Sequence, residues 1–108
     1  MFLSDILESC RKIQKYTKEK YFEDLISEEM LLDALVRNLE IIGEAAKNIP
    51  TDVKDRHSHI EWRKIAGLRD YLIHVYFGID EEILWDIVKN KIPKLQQDIK
   101  EILRHEQS

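Results

Sequence analysis

The chain has 108 residues but only one cysteine, two prolines and three glycines. A lone cysteine cannot close an internal disulfide, so the fold cannot depend on a cross-link. Cys10 sits in an apolar helical pattern and reads as a small core residue in a reducing compartment. Scarce proline and glycine mean few forced turns, hence few and long elements. No apolar run approaches the roughly 20 residues needed to span a bilayer. The start, Met1-Phe2-Leu3-Ser4-Asp5, has neither the basic residues nor the apolar stretch of a secretory signal. The expectation is a cytoplasmic protein with no membrane partner. Also missing are a Gly-rich phosphate loop, a His-Glu-x-x-His zinc helix, paired cysteines and an EF-hand loop. His57-x-His59 is the one pair with a metal-like spacing, but no acidic residue stands at a ligand distance from it. Neither a metal nor a cofactor is expected.

What is present is a chain 44% hydrophobic and 35% charged, the balance of a folded soluble protein. Its length suits a single domain over residues 1–108 with a core large enough to need no staples. The net charge of −4 is wrong for a general nucleic-acid coat protein. Contact with RNA would need a local basic patch. One is visible in Lys54, Arg56, Arg63, Lys64 and Arg69, with His57, His59 and His74 close by in sequence. A solvated charged face is the plainer reading of such a run.

Apolar residues recur at helical spacing in four stretches, with no period-two pattern to compete. The first covers about residues 3–20, with Leu3, Ile6, Leu7, Cys10 and Ile13 in phase and Ser4 as a cap; Tyr21-Phe22-Glu23-Asp24 breaks it. The second covers about 28–48. Ser27 is its expected N-cap, Glu28 and Glu29 oppose the positive end of the dipole, and Pro50 ends it. Its small residues Gly43, Ala45 and Ala46 permit a close helix crossing. Residues 51–60 read as a short helical turn, capped by Thr51, and a loop. The third helix, about 61–76, places Trp62, Ile65, Ala66, Arg69, Leu72, Ile73 and Tyr76 on one face. The fourth follows Gly78, with Asp80 as N-cap, Ile79 and Leu84 at staple positions, and a kink or restart at Pro93. These features predict an all-α, up-and-down bundle of four main helices.

Arginine in the middle of an apolar stripe is unusual, because guanidinium groups are seldom buried unpaired. Helical geometry sets Arg69 and His74 about 140° apart around the axis and about 7.5 Å along it. They can flank a groove. Asp70, four residues before His74, shares the histidine's face and can orient the imidazole. Tyr76 returns almost to the arginine's face. These side chains suit RNA cleavage. The ribose 2′-hydroxyl is an internal nucleophile, an imidazole moves protons near neutral pH, and a guanidinium holds phosphate oxygens in pairs. A polar cluster that merely fixes helix packing would use the same residues.

Arg69-x4-His74-x-Tyr76 resembles the Arg-x4-His-x-Tyr motif of the HepT proteins (DUF86-like), a branch of the HEPN superfamily. Leu39-Glu40-Ile41-Ile42-Gly43-Glu44-Ala45-Ala46 is similar to the family's second-helix signature. Trp62-Arg63-Lys64-Ile65-Ala66-Gly67-Leu68-Arg69 resembles the approach to the motif, and Tyr76-Phe77-Gly78-Ile79-Asp80 with Trp85 its exit. The likeness spans about residues 3–103. Asp70 replaces a frequent Asn, and Val75 a frequent Gly. A carboxylate at residue 70 beside His74 would raise the imidazole's pKa.

The resemblance implies a HEPN-like bundle that forms a homodimer, with two motifs facing one cleft. It implies a metal-independent ribonuclease, the toxin of a type VII toxin–antitoxin pair. Arg69, His74 and Asp70 are then catalytic, and Arg63 and Lys64 are candidate RNA contacts. The implied partner is an MntA-type nucleotidyltransferase antitoxin that silences the toxin by moving AMP onto Tyr76. A non-catalytic nucleotide- or partner-binding subunit of a nucleotidyltransferase complex is the alternative, and a purely structural adaptor a third. Whether Tyr71 is a second acceptor stays open.

Overall fold

A computed structural model describes the backbone of residues 2–76 and 80–107, and side chains within those ranges except at 73–76 and 107. The described chain is all-α. Helix α1 spans Phe2–Thr17, α2 Phe22–Ser27, α3 Glu29–Lys47, α4 Thr51–Arg56, α5 Trp62–Ala66, α6 Leu68–Tyr76, α7 Glu81–Asp86 and α8 Ile92–Gln107. A π-helical turn, Ile87–Lys91, joins the last two. The predicted bundle is recognisable: α1 packs on α3 and α8, and α3 packs on α5 and α6.

The core is built from the predicted stripes. Ile6, Cys10 and Ile13 of α1 meet Leu35, Leu39, Ile42 and Ala46 of α3, all with no exposed surface, and α8 closes the layer with Ile92, Ile99 and Ile102. Each fully buried branched side chain contributes about 1.5–3 kcal/mol. Cys10 lies inside this layer, and burial pushes its thiol up to about 12. It is a core atom with no thiolate to offer at neutral pH, as the sequence suggested. Asn38 is buried too, but its amide donates to the Ala34 carbonyl at 2.9 Å, so no polar group is orphaned there.

Local chemistry moves several boundaries. The first helix ends at Thr17, not near 20. Glu19 adopts φ 60°, and the Thr17 carbonyl accepts from the Lys20 amide at 3.0 Å and from Lys89 Nζ at 3.3 Å. Residues 21–24 read from sequence as a break, but three of them begin α2, Phe22–Ser27. The Asp24 carboxylate accepts from the Tyr21 amide at 2.7 Å and starts that turn. Ser27 is consequently the last residue of α2, not the cap of α3. The cap position belongs to Glu28, whose carboxylate is held by Lys20 Nζ at 3.1 Å. Thr51 likewise lies inside α4, with Pro50 at the cap position. Asp80 does occupy the cap position of α7, without a side-chain cap bond. The staple expected from Ile79 lies outside the described residues.

Two further departures shape the site. The expected third helix is interrupted at Gly67 (φ −76°, ψ −6°) into α5 and α6, and this junction is called the elbow below. The restart expected at Pro93 is present, since α8 begins at Ile92 with Pro93 as its second residue, but it comes by way of a π turn. The missing amide of proline is absorbed by the π turn, in which the Ile92 amide donates to the Ile87 carbonyl five residues back.

Candidate active site

The α5–α6 elbow exists because both sides of it are pinned. Trp62 is buried and its indole N–H donates to the His57 carbonyl at 3.1 Å. Leu72, 1% exposed, anchors α6 in the core. Between them the elbow rests on Gly43 of α3. A methyl group on residue 43 would stand 3.3 Å from the Ile65 carbonyl oxygen, 3.6 Å from that of Ala66 and 3.5 Å from the Arg69 amide nitrogen. The first of these is tighter than an ordinary contact, so an added methyl would push α3 and the elbow's backbone apart by a few tenths of an ångström. The close crossing read from Gly43 is therefore the contact that positions Arg69.

The break at Gly67 also removes the puzzle of an arginine in an apolar stripe. Arg69 is not buried. Its side chain is 68% exposed, and Nη1 lies 3.5 Å from Oε2 of Glu44, itself 55% exposed. Such a long, solvated pair is weak and exchangeable. Glu44 sits within the second-helix block but was given no role from sequence. Its one signal was adjacency to Gly43, the residue marked for a close crossing.

Asp70 follows on the same exposed surface and makes no hydrogen bond or ion pair among the described residues. The backbone of α6 is continuous from Leu68 to Tyr76, so residues 69, 70, 74 and 76 keep the helical register assumed from sequence. The side chains of His74 and Tyr76 lie outside the described residues, and with them the Asp70–His74 contact. Tyr71 is half-buried, and its hydroxyl donates to the Asp80 carbonyl at 3.1 Å, tying α6 to the start of α7. Burial, with the Asp80 carboxylate second, raises its pKa above the usual tyrosine range.

The basic run of the sequence is split in space. Arg56 and His57 are spent on the far end of the chain: the guanidinium of Arg56 and Nε2 of His57, the latter at 3.1 Å, both bind the Glu106 carboxylate at the end of α8. Hydrogen bonds from Arg56, then from His57, hold Glu106 down to about 2. His57 and His59 have ring centroids 6.4 Å apart, edge to face. Among the described residues, no group of three or more His, Cys, Asp and Glu side chains is arranged to hold a metal ion. Of the candidate RNA contacts, Lys64 is exposed and pairs with Glu61 at 2.6 Å, while Arg63 is exposed with no ion pair among the described residues. No helix among the described residues is long and apolar enough to cross a membrane.

Comparison with known proteins identifies the family of the chain. The family model described as ribonuclease HepT-like matches residues 6–102. A candidate RNase of Caldanaerobacter subterraneus subsp. tengcongensis is 44% identical over 97% of this chain and 94% of its own length. A candidate HepT ribonuclease of Thermococcus cleftensis is 48% identical over 88% of this chain and 86% of its own. A Methanocaldococcus jannaschii protein named for gamma-glutamylcyclotransferase together with a candidate RNase is 44% identical over 95% of this chain, which spans 46% of it. No solved structure matches.

Proposed function

The chain belongs to the HepT-like ribonuclease family, and from that premise we propose that it is a metal-independent endoribonuclease acting as the toxin of a toxin–antitoxin pair. The observation that carries this reading is the state of Arg69. Its guanidinium is presented to solvent on a backbone elbow that packs closely on Gly43, and among the described residues a weak pair with Glu44 is its one ionic contact. An RNA phosphate can displace that carboxylate and gain paired, charge-assisted hydrogen bonds.

In this mechanism the ribose 2′-oxygen attacks the adjacent phosphorus and the bond from phosphorus to the 5′-oxygen breaks. The products are a 2′,3′-cyclic phosphate and a 5′-hydroxyl end. His74 takes the 2′-hydroxyl proton, and the histidine of a second copy returns one to the leaving oxygen. Arg69 stabilises the charge gathering on the non-bridging oxygens. Asp70, one turn before His74 and without a hydrogen bond or ion pair among the described residues, orients the imidazole. Arg63 and Lys64 hold flanking phosphates. A two-fold homodimer pools both motifs in one cleft, and the exposed surface around Arg69 is the face available for that pairing. An MntA-type nucleotidyltransferase silences the protein by transferring AMP to Tyr76. The added phosphate would claim Arg69 and repel RNA.

The test is incubation of purified protein with end-labelled RNA in excess chelator. Cleavage with cyclic phosphate ends, lost in Arg69→Ala and His74→Ala proteins that keep the parent's helicity, is the expected result. If the His74→Ala protein cuts as fast as the parent, the mechanism is wrong. Intact mass after mixing with the neighbouring nucleotidyltransferase and ATP tests the regulation, with an AMP adduct mapped to Tyr76 as the expected product. An adduct without any RNA cleavage would favour the non-catalytic subunit instead.

A further inference from the structure

On the side of the α5–α6 elbow that faces α8 lies a groove of about 290 Å³. Its floor is apolar: Ile65 and Leu68 from the elbow, with Ile92 and Leu95 from α8. Its rim is basic, with Lys64, Lys91 and Lys94. The acidic rim residues are answered. Glu61 pairs with Lys64 at 2.6 Å, and Asp98 with Lys94 at 3.4 Å. Lys91 is exposed and makes no hydrogen bond or ion pair among the described residues, although it stands near enough to help lower the Glu61 carboxyl. On a chain of net charge −4, this is a locally positive depression with an oily floor. His59, exposed at the mouth, adds a flat ring.

We propose that this groove holds one unpaired nucleotide of the RNA substrate beyond the two that flank the bond to be cut, a reading that rests on the ribonuclease function above. The chemistry matches part by part. A flat base covers the Ile65, Leu68, Ile92 and Leu95 floor and stacks on the His59 ring. Lys91 and Lys94 take the phosphates on either side of it as point charges. The volume sits at the low end for small-ligand pockets, which suits a single base and not a helix of a protein partner. Position matches too: Leu68 lines the groove and is followed directly by Arg69, so nucleotide site and catalytic guanidinium share one elbow. A base stacked within a duplex cannot enter, so the groove selects single-stranded RNA and spares stems.

The test compares cleavage of a dinucleotide, which cannot reach the groove, with cleavage of an unstructured oligonucleotide of about twelve nucleotides. The protein is the parent or the Lys91→Gln/Lys94→Gln variant, whose changes lie on the exposed rim. The expected result is a KM for the long substrate raised about tenfold with kcat within about twofold, and unchanged dinucleotide cleavage. The slope of log affinity against log salt should become shallower by about 1.4, the loss of two single-strand phosphate contacts. In parallel, a non-cleavable 2′-O-methyl oligonucleotide carrying 4-thiouridine should photo-crosslink to residues 59–68 or 87–98. A variant with the parent's KM and salt slope, or crosslinks confined elsewhere, overturns the proposal and leaves the groove to a protein partner. A parent that cuts neither substrate overturns the ribonuclease reading itself, and this proposal with it.

Discussion

Gly43 and Arg69 meet backbone to backbone across the α3–α6 contact, where a Cβ at residue 43 would crowd main-chain atoms that cannot swing aside. The three nearest atoms, at 3.3–3.6 Å from where a Cβ would stand, all belong to the main chain of Ile65, Ala66 and Arg69. Gly43→Ala must therefore move the elbow by a few tenths of an ångström. Alanine gains about 1 kcal/mol of helix propensity over glycine, which offsets much of the crowding. The expected outcome is a melting temperature close to the parent's with kcat/KM for RNA down about tenfold, since small misplacements of a positioned group are costly to catalysis. Gly43→Val, bulkier and without that gain, should lose about 1–3 kcal/mol of stability as well. Thermal melts beside steady-state kinetics read both; parent-like kcat/KM in the alanine variant would detach Gly43 from the site.

Glu44 lies 3.5 Å from the same guanidinium, and under the proposed function it would compete with an RNA phosphate for it. Both partners are largely exposed, so the pair is worth about 0.2–1 kcal/mol. Glu44→Gln should then lower KM for RNA by about 1.4- to 5-fold, the same energy expressed as a ratio. The fold should be undisturbed. A raised KM would mean that Glu44 instead holds Arg69 in its working orientation.

Much of this layout could be read from residue pattern, and the exceptions have physical causes. The α1 and α3 stripes and the buried Cys10 follow from long runs at constant phase, where many residues vote for one face. Gly43 was legible because three small residues in one stripe signal a close crossing. The α2 turn was not, since six residues are too few to show a period. The break at Gly67 was hidden because apolar spacing continues through it, from Trp62 to Leu72, while the backbone does not. That continuation put Arg69 on an apolar face in sequence and on an open one in space. Glu44 reaches Arg69 by tertiary contact from α3, announced only by its neighbour Gly43, and Lys91 and Lys94 reach the proposed groove from the π turn and α8 with nothing local to announce it. Pro93 announced a disturbance but not its kind. Substituting a π turn for a kink keeps α7 and α8 packed on one core.

Glu19 occupies the left-handed region at φ 60°, directly after α1. A residue with a Cβ is strained there, and glycine is not. The adjacent bond from the Lys20 amide to the Thr17 carbonyl, 3.0 Å, uses backbone atoms only and survives the change. Glu19→Gly should stabilise the protein by about 0.5–1 kcal/mol, seen as a higher midpoint in urea with an unchanged slope. A lower midpoint would show that the Glu19 side chain makes a compensating contact.

The latch between α4 and the end of α8 should make stability depend on acid in a particular window. Glu106 is held down to about 2 by hydrogen bonds from Arg56 and then His57, against an ordinary value of 4.5. Its folded-state pKa lies below its unfolded one, so the folded protein binds fewer protons between the two values. The latch's contribution is therefore fully present above the unfolded pKa and lost as pH falls toward 2. Glu106→Gln keeps the shape but not the charge. Its melting temperature should lie below the parent's by a constant amount above about pH 5, and the gap should close as pH drops from 4.5 to about 2. A gap that persists unchanged down to that limit would mean that the carboxylate's charge does not fasten α4 to α8.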